Sequence, residues 1–199
     1  MALAQGPMGL TMHSSNRMRA AVAAFGAVAL ACAAALTSPA QAATSGDTTT
    51  TFTLTAGLLA ISAPASASLG SVATGTGTTS AQLGSVTVTD GRGALLGSWT
   101  ASVSTTDFTT GGATANETIA KGSADYWSGA ATSTSGVGTF TPGELLVANK
   151  VAMSASRTAF SATVVVGNNT AAWNPTMIIN VPSAAVAGTY SGTVTHSVA

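Results

Sequence analysis

Charge is what this sequence has least of: Lys, Arg, Asp and Glu together supply 6% of its 199 residues. A surface so poor in charge has to be wetted by Thr, Ser, Asn and the backbone, which suits a secreted, wall-associated or fibrous protein better than a cytosolic one. Two of the six basic residues, Arg17 and Arg19, belong to an expected leader, leaving four basic and six acidic side chains. No basic face can be built from these, so neither nucleic acid nor anionic membrane is an expected partner. Cysteine occurs once, as Cys32 within that leader. The mature chain is therefore expected to have no disulfide, no thiol nucleophile and no cysteine metal site, as suits a bacterial envelope protein. Histidine outside the leader is limited to His196, which excludes a two-histidine metal site. The acids Asp90, Asp107, Glu117, Asp125 and Glu144 show no pairing that would mark a glycosidase. The spacing of Asp107, Glu117 and Asp125 matches no calcium loop. The expectation is no enzyme, no cofactor and no metal.

The first 42 residues read as a secretory signal peptide. Arg17 and Arg19 precede an alanine-rich apolar run, Ala20 to Leu36, and Ala40-Gln41-Ala42 supplies the small-residue cleavage site. The mature chain, 43–199, is expected to start at Ala43, to be exported, and to contain no membrane span.

Helical periodicity is missing from the mature chain, and period-two alternation takes its place. Phe52 and Leu54 alternate with Thr51, Thr53 and Thr55, predicting one strand before Gly57, and Leu59 and Ile61 predict another after it. Val86 and Val88 alternate with Thr87 and Thr89, and Trp99, Ala101 and Val103 with Thr100, Ser102 and Ser104. Asp90, Gly91 and Gly93 read as a turn or bulge between these two strands. On that loop Asp90 and Arg92 form either a local clasp or the edge of a binding site. Ala65 to Gln82 is a long connection with at most one weak strand, and Ala113 to Gly143 is aperiodic, either a packed cover or a binding surface. Within it Tyr126 and Trp127 should face opposite sides, one buried and one available. Phe160, Ala162, Val164 and Val166 predict one face of a strand ended by a turn at Gly167-Asn168-Asn169. Met177, Ile179 and Val181 predict the next face, and Tyr190, Val194, His196 and Val198 the last. Eight to ten half-buried strands at this spacing predict a single-domain, all-β antiparallel sandwich.

Three pieces carry a family resemblance: Val88-Thr89-Asp90-Gly91-Arg92-Gly93 leading to Gly97-Ser98-Trp99; Ile179-Asn180-Val181-Pro182; and Ala187-Gly188-Thr189-Tyr190-Ser191-Gly192-Thr193-Val194-Thr195. In this order, running to the C-terminus, they resemble the WxL domain, a wall-attachment module of secreted proteins of Gram-positive bacteria. The family's Trp-x-Leu motif is matched by Trp99 with Ala101 in place of leucine. Its Tyr-x-x-x-Leu-Thr-Trp-x-Leu motif is matched by Tyr190, Val194 and Thr195, with His196 in place of tryptophan and Val198 in place of leucine.

The resemblance implies a cell-surface protein held non-covalently to peptidoglycan or another wall glycan. Trp99, Tyr126, Trp127, Tyr190 and His196 are the candidate wall-binding side chains. The competing reading is a structural or interaction protein whose Thr-rich strands associate with other envelope proteins or with copies of the same chain.

Overall fold

Seventeen consecutive residues, Arg157–Trp173, form one strand on which most of the others are hung. The structure is a computed structural model that describes residues 46–199 apart from Thr76 and Ala113. The expected leader, with Arg17, Arg19 and Cys32, lies outside the described residues, as does the expected start at Ala43. In chain order the strands are β1 (Leu59–Ser62), β2 (Thr78–Gln82), β3 (Val86–Asp90), β4 (Leu95–Thr105), β5 (Phe108–Thr109), β6 (Thr118–Ile119), β7 (Ala124–Trp127), β8 (Ala131–Pro142), β9 (Val151–Ala152), β10 (Arg157–Trp173), β11 (Thr176–Asn180) and β12 (Val194–Val198). All named pairings are antiparallel. The architecture is all-β, with two principal sheets packed around one core, as the alternation predicted.

The larger sheet runs β1-β3-β10-β4-β12, and β8 lies along the other edge of β10. Here the expectation of a turn between β3 and β4 is corrected. Both strands pair with the same edge of β10, β3 with Asn169–Trp173 and β4 with Arg157–Val166, and both run antiparallel to it. The chain between them does not reverse; it jogs and continues. A second correction follows, because Gly167-Asn168-Asn169 is not a turn: β10 passes straight through it.

These positions mark a corner that every long strand crosses. Register shifts interrupt the β10–β4 ladder between Ala162 and Val165, and the β10–β8 ladder between Thr163 and Thr170. Each strand meets the corner with left-handed backbone: Gly136 in β8, Val164 and Gly167 in β10, Leu96 in β4 and Gly93 just before it. At Gly136 the corner leaves no room for a side chain, since a Cβ would lie 2.6 Å from the carbonyl oxygen of Asn168. Bulges of this kind bend a sheet and shift side chains to the opposite face. The predicted face Phe160-Ala162-Val164-Val166 is split for this reason. Phe160 and Ala162 are buried, but beyond the shift Val165 is buried instead, and Val164 and Val166 point to solvent.

The smaller sheet, β2-β11-β7-β9, covers the core from the other side, and β5 and β6 form a short ribbon. The core is an aromatic series: Trp99 beside Phe160 at 6.4 Å between ring centroids, and Phe160 stacked on Trp173 at 4.9 Å. Removing such a ring typically costs about 3–5 kcal/mol. Met153, Met177, Val86, Val88 and Val103 fill the space around them.

Two further strand expectations change. Ala131–Pro142, within the stretch read as aperiodic, is a twelve-residue strand. Among the described residues it pairs along one edge only, and most of its residues are exposed. Only at its ends, through Ala131 and Phe140, does it pack against the core, so no sustained alternation was imposed on its sequence. Conversely, the alternating stretch around Phe52 and Leu54 is not in a strand, and both side chains are exposed.

Candidate functional site

The Asp90–Arg92 pair resolves as a clasp, and one that reaches into the core. Asp90 ends β3 with its side chain 1% exposed. Its Oδ1 accepts from Arg92 Nε at 2.8 Å and from the Arg92 backbone N–H at 3.1 Å, and its Oδ2 accepts from Arg92 Nη2 at 3.0 Å. Asn169 Nδ2 donates to the same Oδ2 at 3.1 Å, while Asn169 Oδ1 accepts from Trp99 Nε1 at 2.9 Å. Arg92 Nη2 also donates to the carbonyl of Ser98. The guanidinium, opposed only in part by burial, holds the Asp90 carboxyl down at about 2. Asn169, read as a turn residue, is the hub that sequence reasoning missed. Its one signal was an asparagine beside an apolar run, which the Gly167-Asn168 pair masked.

The five candidate wall-binding residues do not meet in one place. Trp99 and Tyr126 are buried in the core and present no ring face to a ligand. Tyr126 Oη lies 3.2 Å from His196 Nε2 and accepts from Trp173 Nε1 at 3.4 Å. Burial drives the His196 imidazole down to about 4 and pushes the Tyr126 phenol up. His196 is thus a neutral, hydrogen-bonded, half-buried histidine at the edge of the core, packed 5.9 Å from the Tyr126 ring and 6.4 Å from the Trp173 ring. Trp127 faces away from Tyr126 as expected and is half-buried, but its Nε1 is enclosed without a partner among the described residues. Tyr190 is also half-buried, and its hydroxyl shares its one proton between the carbonyls of Val186 at 2.9 Å and Asn116 at 3.1 Å, pinning the chain ahead of β12.

The acids are spread through the fold. Asp107 Oδ1 accepts from the backbone N–H of Lys121, and Glu117 Oε2 from the Thr114 hydroxyl. Asp125 Oδ2 takes Lys150 Nζ and Asn180 Nδ2, the latter at 3.1 Å. Those contacts lower its carboxyl against the opposing effect of burial. Burial raises Glu144, whose Oε2 has no partner among the described residues. No cluster of three or more His, Cys, Asp or Glu that could hold a metal occurs among the described residues, and no helix there is long and apolar enough to cross a membrane.

Concave surface does exist around Tyr190. A cleft of about 560 Å³ opens between Ala67–Thr74 and Ala185–Gly192, floored by Phe108, Ile119 and Ile179. Tyr190 lines it, with the hydroxyl residues Ser68, Ser71, Thr74, Thr79, Thr189 and Ser191, and no charged side chain does. His196 lines a smaller neighbouring recess with Pro64, Val86 and Met177. No protein-family model, curated protein or solved structure matches the chain.

Proposed function

We propose that this chain is an exported, non-catalytic surface protein that attaches non-covalently to the cell wall, and that the cleft beside Tyr190 is where the wall glycan is held. The observation that carries this reading is the lining of that cleft: hydroxyls, backbone and one tyrosine over an apolar floor, without a charged side chain. A cleft of this size suits a segment of a few sugar units. The hydroxyl and acetamido groups of a peptidoglycan glycan need donors, acceptors and an apolar surface rather than counter-charges. The cleft lies in the segment that resembles the second WxL motif, which favours peptidoglycan over other neutral polymers. Trp99 and Tyr126 then support the site from the core and do not touch ligand, and His196 lies outside the cleft in the neighbouring recess.

Retention on washed peptidoglycan sacculi tests the reading. Val72 is 38% exposed at the rim, and Ala187 is exposed on the opposite wall. Val72→Gln and Ala187→Gln narrow the cleft without adding charge, and each is expected to weaken retention about tenfold, equivalent to about 1.4 kcal/mol. The unfolding midpoint should stay unchanged. Undiminished retention in both variants, with both folded, would remove the cleft as the wall site.

A second reading, an envelope protein that associates with copies of itself, is favoured by one specific observation. Leu95, Leu96, Val137, Val164 and Val166 are all exposed at the outside of the sheet corner.

A further inference from the structure

The sequence writes a strand at Thr51–Thr55 for which the fold provides no place. Phe52 and Leu54 are 90% and 88% exposed. The ladder between β1 and β3 extends backward only as far as Gly57 and Leu58, which exchange backbone hydrogen bonds with Gly91 at 2.8 Å. Among the described residues, no backbone group of Thr51–Ala56 meets a backbone partner. An alternating apolar stretch is stable in water only when one of its faces is covered and its N–H and C=O groups are paired.

At the other side of the same sheet lies a strand edge that is open. The strand β8 pairs with β10 alone among the described residues. From Ala131 to Thr141 it carries no charge and no proline, two of the devices that stop an edge from accepting another strand, and the bend at Gly136 is the one protection this edge has before Pro142. Its outer face is apolar where this matters. Val166 is paired with Leu95 on one side and with Val137 on the other, which sets three exposed side chains in one row across β4, β10 and β8. A strand added beside β8 would place its own side chain next in that row, past Val137. Leu96 and Val164, held at φ 59° and 54°, stand beside the row.

We propose that Thr51–Ala56 of one copy adds as a strand to the free β8 edge of a second copy, with its Phe52–Leu54 face on the side of the Leu95–Val166–Val137 row and one of the two next to Val137. The inference rests on the self-association reading and is independent of the cleft, so sacculus binding and assembly can fail separately. Pairing within one copy is opposed by the reach along the sheet. The arm leaves from β1, and β3 and β10 lie between β1 and β8. Reaching its own β8 edge means crossing roughly 19 Å, four inter-strand spacings of about 4.8 Å. Six residues extend at most about 20 Å, so the crossing would leave none to run along the edge. Between copies no crossing is needed. Donor arm and acceptor edge are different surfaces of the chain, so the contact is heterologous and propagates head to tail.

Sedimentation of the purified protein over a range of concentrations tests this. The parent should form a concentration-dependent series of oligomers. Phe52→Lys with Leu54→Lys removes the arm, and Val137→Lys closes the edge. All three residues are exposed, so the unfolding midpoint should not move, and each variant alone should sediment as a monomer. Mixed together, they should form a dimer and nothing larger, because one still offers its edge and the other its arm. Assembly of the arm variant alone, a mixture that stays monomeric, or a parent that is monomeric throughout would each overturn the proposal.

Discussion

The sharpest quantitative test lies in the clasp, through the substitution Asp90→Asn. In the native chain the Asp90 carboxylate takes two bonds from the Arg92 side chain, one from the Arg92 backbone and one from Asn169. An asparagine keeps one acceptor oxygen, and its amide turns a donor toward the donors on Arg92 and Asn169. Because Arg92 is 36% exposed, water can still solvate the guanidinium, which places the loss below the range for a fully buried pair. The carboxyl's displacement from 3.8 to about 2 gives an independent measure, about 2 kcal/mol, at about 1.4 kcal/mol per unit. The sign is fixed by the direction. A depressed carboxyl contributes stability that is complete above its unfolded value of 3.8 and fades as pH falls through about 2. Urea unfolding followed by tryptophan emission, which Trp99 should report from inside the network, gives both stabilities. The parent should exceed Asp90→Asn by about 2 kcal/mol near neutral pH and by well under 1 kcal/mol at the folded value. Asp125 and His196 are present in both proteins and cancel from the difference. A gap that does not change with pH would refute the assignment of the stabilisation to the ionised carboxylate.

Two other perturbations probe the core and the corner. His196, driven down from 6.5 to about 4 by burial, contributes stability above 6.5 that is lost as pH falls toward 4, amounting to about 3 kcal/mol. His196→Gln should flatten the unfolding midpoint across that window, and an unchanged slope would mean that the imidazole is accessible to protons in the folded chain. At the corner, Val164 holds φ 54° with its side chain 57% exposed. Val164→Gly should therefore raise the thermal midpoint by the equivalent of up to about 1 kcal/mol, the left-handed strain less the added freedom of glycine. A lowered midpoint would show that the valine side chain has a packing role that outweighs its strain.

How much of this was legible in the sequence depended on whether burial had marked each strand. Val86–Asp90, Met177–Ile179 and Val194–Val198 each set one face toward the core, and their alternation identified both strand and inward side. Ala131–Pro142 meets the core only through Ala131 and Phe140 and left no such mark. The corner was misread for a different reason. Gly91 to Gly93 and Gly167 to Asn169 have the composition of turns, but whether a chain reverses or only bends there is set by pairing with β10, which short-range pattern does not contain. The polar contacts were hidden by distance: Trp99 meets Asn169 and Tyr126 meets His196 across 70 residues of chain in each case. The alternation at Phe52 and Leu54 predicted a strand that the structure does not form, and among the described residues that stretch has no backbone partner.

The scarcity of charge gains a structural meaning from where the few charges went. Asp90 and Arg92 neutralise each other, Lys150 faces Asp125, Arg157 Nε is turned to the carbonyl of Ala152, and Glu144 is buried. Asp47, Asp107, Glu117 and Lys121 stay outside these pairings, too few and too scattered along the chain to steer a partner over distance as a single-sign patch would. Recognition by such a surface has to work at contact, through hydroxyls in a cleft, apolar side chains in a row, or unpaired backbone along an edge. Contacts of those kinds depend weakly on salt and strongly on register. A neutral glycan and a second copy of the chain share one property that suits them to this surface: each presents a regular repeat of donors and acceptors against which it can align.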